Sequence, residues 1–162
     1  MASDAPRWLD PDEQRAWRSL AAVLLKLPAE LEAQLQRDAG MSHFEYWVIA
    51  LLSEAPDDTL GLSDLAGQAN ASLSRLSHVV TRLERRGWVT RRPDPDDGRA
   101  TLAVLTDAGR ARVVAAAPGH VDAVRHFVFD ALDTGDVERL RELCDAVLAR
   151  LDAPTGLDAP TG

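Results

Sequence analysis

The chain has a single cysteine, 5% aromatic residues and no apolar run approaching the ~20 residues of a transmembrane helix. One cysteine excludes an intramolecular disulfide framework. Cys144 lies near the apolar stripe of the last helical segment, so a buried structural thiol is expected there. The four histidines, His43, His78, His120 and His126, form no His-x-x-x-His pair, and no Cys-x-x-Cys exists, so no metal site is expected. Nor is there a nucleophile elbow, a phosphate-cradling glycine loop or a paired-carboxylate site. Neither an enzyme nor a cofactor is expected. No basic, apolar leader opens the sequence, which points to a cytoplasmic protein without a membrane partner. With 46% hydrophobic residues, 162 residues suffice for one core, and a single domain is expected over residues 1–152.

Positive charge is also scarce, since the net charge is −8, but its position is informative. Residues 1–71 carry a net −7, residues 72–99 a net +3, and residues 100–162 a net −4. The one positive segment contains seven arginines. Phosphate neutralisation depends on charge within about a Debye length, so an acidic remainder does not forbid a nucleic-acid partner.

That positive segment has two parts. From Leu73, a helical wheel of about 100° per residue gathers Leu73, Leu76, Val79, Val80 and Leu83 into an apolar arc of roughly 120°. Ser74, His78, Thr81 and Arg85 face the other way, flanked by Arg75 and Arg82. These groups donate to base edges and phosphates. Ser72 is the expected N-cap, and Gly87 suits a left-handed helix end. A hairpin follows: Trp88 to Arg92, the turn Pro93-Asp94-Pro95-Asp96-Asp97-Gly98, and a return strand from Ala100 to Leu105. Two prolines stiffen the turn and Gly98 permits a positive φ. Arg99 stands at its tip, where Asp97 can pair with it and hold the guanidinium extended. A rigid loop lowers the entropy lost when such an arginine enters a narrow minor groove. A groove-sized helix joined to such a hairpin is the layout of a winged helix-turn-helix, with Leu62 to Ala69 as the helix preceding the recognition helix.

The stretch RLERRGWVTRRPDPDDGRATLAVLTDAGR resembles the signature of the MarR family of winged-helix transcriptional regulators. The matching parts are a helix ending Arg-Leu-Glu-x-x-Gly, the wing Asp97-x-Arg99, and Leu-Thr-Asp-x-Gly from Leu105 to Gly109. Weaker similarity extends over roughly residues 10 to 152. The resemblance implies an obligate homodimer on a pseudo-palindromic duplex, with recognition helices in the major grooves and wing arginines in the minor grooves. Gly98 departs from the family, in which an arginine is frequent at that position.

The expected fold is therefore mainly α with a small β-hairpin wing, a winged helix-turn-helix carrying dimerisation helices. Asp10 caps a helix that starts at Pro11, kinks at Pro28 and stops at Gly40, and Ser42 with Glu45 is a capping box for a second helix ending before Pro56. Thr106 caps a long helix that Pro118-Gly119 interrupts and bends. Asp133 caps the last helix, whose stripe includes Val137, Leu140, Leu143, Val147, Leu148 and Leu151. Residues 10–40 and 106–152 are assigned to dimerisation, 42–105 to a DNA-binding lobe, and 153–162 to a disordered, proline-rich tail. The DNA-binding set comprises Ser74, Arg75, His78, Thr81, Arg82, Arg85, Arg91, Asp97 and Arg99. The resemblance also implies an effector pocket between lobe and dimerisation helices. Trp17, His43, Tyr46 and Trp47 are its candidate lining for a small aromatic or anionic ligand. The function expected is a sequence-specific repressor released by that ligand. The alternatives are a helical protein-interaction module that has lost DNA binding, which the acidic surface favours, and a metal-dependent regulator built on the histidines.

Overall fold

The computed structural model describes residues 6–153. The first helix, α1 (Pro11–Ala39), opens as its sequence demands. An Asp10 carboxylate oxygen accepts from the amides of Asp12 and Glu13, and the Glu13 carboxylate accepts from the Asp10 amide. Gly40, at φ 63°, closes the helix in the left-handed region that favours glycine. α1 runs unbroken through Pro28, where a kink was expected. Its buried residues, Leu31, Gln34 and Leu35, all lie in its last turns. α2 (His43–Glu54) starts from the reciprocal Ser42–Glu45 capping box and ends before Pro56.

A 3-10 turn at Pro56–Asp58 then leads to β1 (Thr59–Gly61), α3 (Leu62–Gln68) and α4 (Leu73–Arg85). The hairpin is β2 (Val89–Pro93) and β3 (Thr101–Leu105), close to its expected limits. It is not two-stranded, however. β1 pairs antiparallel with the far side of β3, Leu60 opposite Ala103, so the sheet order is β1-β3-β2. Three residues are too few for alternation to reveal a strand, and only pairing with β3 defines this one. β3 alternates: Ala103 and Leu105 are buried, and Leu102 and Val104 are half-buried.

The chain groups into two units, Met1–Val121 and Asp122–Gly162, and the division falls inside α5 (Asp107–Phe127) rather than in a linker. The expected interruption of α5 at Pro118-Gly119 is absent. The first unit contains the core, in which Leu35, Ile49, Leu52, Leu65, Leu76 and Leu83 are fully buried. In the second, a 3-10 turn at Phe129–Ala131 precedes α6 (Thr134–Leu151), which Asp133 caps. No residue of α6 is buried, and Leu143 and Val147 are each about half exposed. Cys144 is exposed as well, contrary to the expected buried thiol, because the stripe beside it is uncovered in the single chain. The tail expected to be disordered lies, from residue 154 onward, outside the described residues. Among the described residues, no helix is long and apolar enough to cross a membrane.

One junction seats the wing on α5. Thr106 Oγ1 donates to the Gly87 carbonyl at 2.7 Å and accepts from the Gly109 amide at 3.0 Å, while the Thr106 amide donates to the Trp88 carbonyl at 3.0 Å. A Cβ at position 109 would lie 2.1 Å from that same Trp88 oxygen, so only glycine allows the approach. Gly109→Ala is expected to lower stability in urea by about 1–3 kcal/mol, the usual cost of overpacking. Gly98→Ala is the control, since a Cβ there meets nothing within 4 Å and should change stability little.

Candidate nucleic-acid interface

The amphipathicity of α4 becomes geometry once its apolar face is buried. Leu76, Val79, Val80 and Leu83 are in the core, each contributing about 1.5–3 kcal/mol through burial. Leu73, assigned to the same stripe, is instead half exposed, because it begins the helix and overhangs the core edge. Ser72 Oγ accepts from the Arg75 amide at 3.2 Å and so caps the helix. The opposite face presents Ser74, Arg75, His78, Arg82 and Arg85 to solvent, with Thr81 half-buried beside them.

Two of these arginines are held by α2. The Arg75 guanidinium stacks 4.2 Å over the Phe44 ring. Arg82 Nε donates to Glu45 Oε1 at 3.1 Å, and Arg86 Nη1 lies 3.6 Å from Glu45 Oε2 while donating to the Gly40 carbonyl. Glu45 is buried. Burial alone would raise its pKa, but the Ser42 amide and the two guanidinium groups outweigh it and hold the carboxyl below its ordinary value. The capping-box residue of α2 is therefore also the anion that orients α4, a second role its spacing from Ser42 does not announce. Between these helices opens a cleft of about 560 Å³ whose lining includes Ser42, Phe44, Ser74, Arg75, His78 and Arg82.

The wing departs from expectation in its details. Arg99 is exposed at the tip. Asp97 Oδ1 accepts from the Arg99 backbone amide at 3.0 Å, and the Asp97 carbonyl accepts from the Ala100 amide at 2.8 Å. Asp97 thus shapes the turn and makes no ion pair with the Arg99 guanidinium among the described residues. Gly98 does not adopt a positive φ, which Gly87, at 72°, does. Arg91 turns inward, its Nη1 donating to Glu84 Oε2 at 2.5 Å and its Nη2 to the Ser77 carbonyl at 2.8 Å. Strand alternation carries the signal for this: Arg91 shares a face with buried Val89, whereas Arg92, omitted from the expected set, is exposed on the other face. Arg85 and Arg99 enter no ion pair among the described residues.

This arrangement of helices, sheet and wing matches solved regulators from Streptomyces coelicolor. Sco3205, a MarR family transcriptional regulator crystallised in complex with DNA, is 44% identical, with a TM-score of 0.89 over 94% of this chain and 95% of that one. The chain belongs to the MarR family. The MarR family model matches residues 41–101, which run from the end of α1 to the start of β3. AbsC, another MarR family regulator of S. coelicolor, is 36% identical, with a TM-score of 0.86 over 90% of this chain and 98% of its own. The HTH-type transcriptional repressor YetL of Bacillus subtilis is 31% identical over 52% of this chain and 51% of its own. The chain spans about half to two thirds of the length of the curated relatives it matches.

In this MarR family chain the expected effector residues do not form one group. His43 and Tyr46 meet at a residue not assigned to the site, His120 of α5, whose ring centroid lies 5.4 Å from that of His43 and 4.5 Å from that of Tyr46. His120 is buried, and its Nδ1 has no hydrogen-bond partner among the described residues. Only the packing of α5 on α2 brings it to His43, so the spacing of His120 from His126 could not reveal the cluster. Trp47 is 42% exposed. Trp17 is more than half exposed, and on the order of 33 Å of helix, at 1.5 Å per residue, separates it from Ala39. None of the four lines the cleft beside α4.

Burial lowers the pKa of His43, partly offset by Glu32, and burial together with His43 lowers that of His120. A histidine whose folded pKa is depressed contributes stability above its unfolded value, near 6.5, which is lost as pH falls through the folded value. Urea midpoints should therefore fall as pH drops from about 7 toward 5, and His120→Gln should flatten that dependence. An unchanged pH profile in the variant would assign the acid sensitivity to other groups.

Proposed function

We propose that this protein is a homodimeric, sequence-specific DNA-binding repressor of the cytoplasm, released from its operator by a small aromatic or anionic effector. The observation that carries the reading is the pairing of α4, buried on one face and arginine-bearing on the other, with a wing whose Arg99 is exposed. Sco3205, crystallised with DNA, and the repressor YetL support it. Ser74, Arg75, His78, Arg82 and Arg85 then serve the major groove, with Thr81 at their margin, and Arg99 the minor groove, on a turn that Asp97 shapes. Two copies place two α4 helices about 34 Å apart on successive major grooves, which requires a pseudo-palindromic site.

Dimerisation is assigned to residues 10–40 and 106–152, and DNA binding to residues 42–105. In the first unit, Trp17, Leu20, Val23 and Leu24 are exposed along the N-terminal half of α1, and in the second the stripe of α6 is exposed. Apolar surface of this extent, on helices whose buried residues are few or none, fits an interface between copies. An effector acts by population shift, favouring a dimer whose recognition helices are spaced wrongly for two major grooves.

In vitro selection from sheared genomic DNA, with wild type and Arg99→Ala in parallel, tests the DNA reading. Wild type is expected to enrich an inverted repeat that the variant does not, and no enrichment by folded dimer would refute the reading. Leu143→Glu, on the α6 stripe, should yield monomers in analytical ultracentrifugation, and a surviving dimer would move the interface elsewhere.

A further inference from the structure

Arg91 belongs by sequence to the basic set beside the wing, yet its guanidinium is already committed. Nη1 donates to Glu84 Oε2 at 2.5 Å and Thr81 Oγ1 at 3.2 Å, and Nη2 donates to the Ser77 carbonyl at 2.8 Å, Ser77 Oγ at 3.3 Å and Thr81 Oγ1 at 3.2 Å. The Thr81 hydroxyl completes the group by donating to the Ser77 carbonyl at 2.9 Å. Both terminal nitrogens therefore bond within the protein, to three residues spaced three and four apart along one edge of α4. Glu84 and Arg91 are largely shielded, their side chains 30% and 24% exposed, so their charge-assisted bond is stronger than one in open water. A phosphate could recruit this guanidinium only by breaking that set and leaving Glu84 unpaired.

We propose that Arg91 is a positioning residue that fixes the wing against the recognition helix and makes no contact with DNA itself. Arg91 lies in β2, whose partner β3 follows directly on the wing turn, while Glu84, Ser77 and Thr81 lie on α4. The clasp thus ties the element carrying Arg99 to the element carrying Ser74, Arg75 and Arg85. It sets the separation between the minor-groove arginine and the major-groove side chains. A planar fork bonded at both ends resists rotation as well as translation, which a lysine at this position could not do. This inference rests on the DNA-binding reading above and adds to it a division of labour among the arginines.

The two roles differ in measurable ways. A residue that neutralises a phosphate contributes about one unit to the slope of log affinity against log salt, whereas a positioning residue contributes none. Wild type, Arg91→Ala, Glu84→Gln, Arg85→Ala, Arg99→Ala and Arg91→Ala/Arg99→Ala would be titrated against the wild-type-selected operator from about 50 to 200 mM salt. Arg91→Ala is expected to weaken binding about tenfold or more at the wild-type slope, while Arg85→Ala lowers the slope. Glu84→Gln, which removes a negative charge near the DNA, should nonetheless weaken binding several-fold. The loss caused by Arg99→Ala should shrink in the Arg91→Ala background, because a misplaced wing no longer delivers Arg99.

A slope reduced by about one in Arg91→Ala, with losses additive to those of Arg99→Ala, would overturn the inference. So would tighter binding by Glu84→Gln, the conservative variant that decides the matter should Arg91→Ala fail to fold. If wild type selects no operator, the DNA reading itself fails and takes this inference with it. That outcome is distinct from specific binding accompanied by a lowered slope.

Discussion

The burial of one face of α4 is the constraint on which the remaining structure depends. Leu76, Val79, Val80 and Leu83 fix the rotation of that helix about its own axis, so its arginine-bearing side must face outward. Rotation by one residue would swing the helix by about 100° and put charge into the core, at a cost no surface contact could offset. The neighbouring elements then hold the helix against translation. Glu45 grips Arg82 from α2, and Arg91 grips Glu84 from β2.

Acids accordingly have two opposite uses in this chain. The whole acidic surplus that makes the net charge −8 lies outside residues 72–99, which are net positive. Two glutamates are drawn in among the arginines as anchors, and the Ser42 amide with two guanidinium groups outweighs the burial of Glu45 and holds its carboxyl below its ordinary pKa. A basic segment organised this way presents fewer free arginines than its composition suggests. Arg85 and Arg99 are among those that enter no ion pair among the described residues. Economy of free charge suits a reader of sequence, because the sequence-independent attraction of backbone phosphates is kept low.

The wing and α5 meet at Thr106 and Gly109, where backbone approaches backbone more closely than any Cβ permits. A shift of α5 is therefore felt at Trp88 and, through the antiparallel pairing of β2 and β3, along the wing. His120 lies on the same helix, packed against His43 and Tyr46.

Periodicity and punctuation settled much of this from the sequence alone. The apolar arc of α4, the caps at Asp10, Ser42, Ser72, Thr106 and Asp133, the glycine stops at Gly40 and Gly87, and the limits of the hairpin are local properties, written in residues a few positions apart. So are the exposed place of Arg99 and the resemblance carried by the wing and by Leu105 to Gly109. What tertiary structure alone decided involves residues distant in the chain or too few to show a period. β1 exists because β3 offers it a partner, His120 joins His43 because α5 packs on α2, and Leu73 is exposed because the core ends before the helix does. Arg82 pairs with Glu45 while staying exposed, and Arg91 is drawn inward by Glu84, for a guanidinium takes whichever anion the fold brings within reach, and one-dimensional spacing does not record that distance.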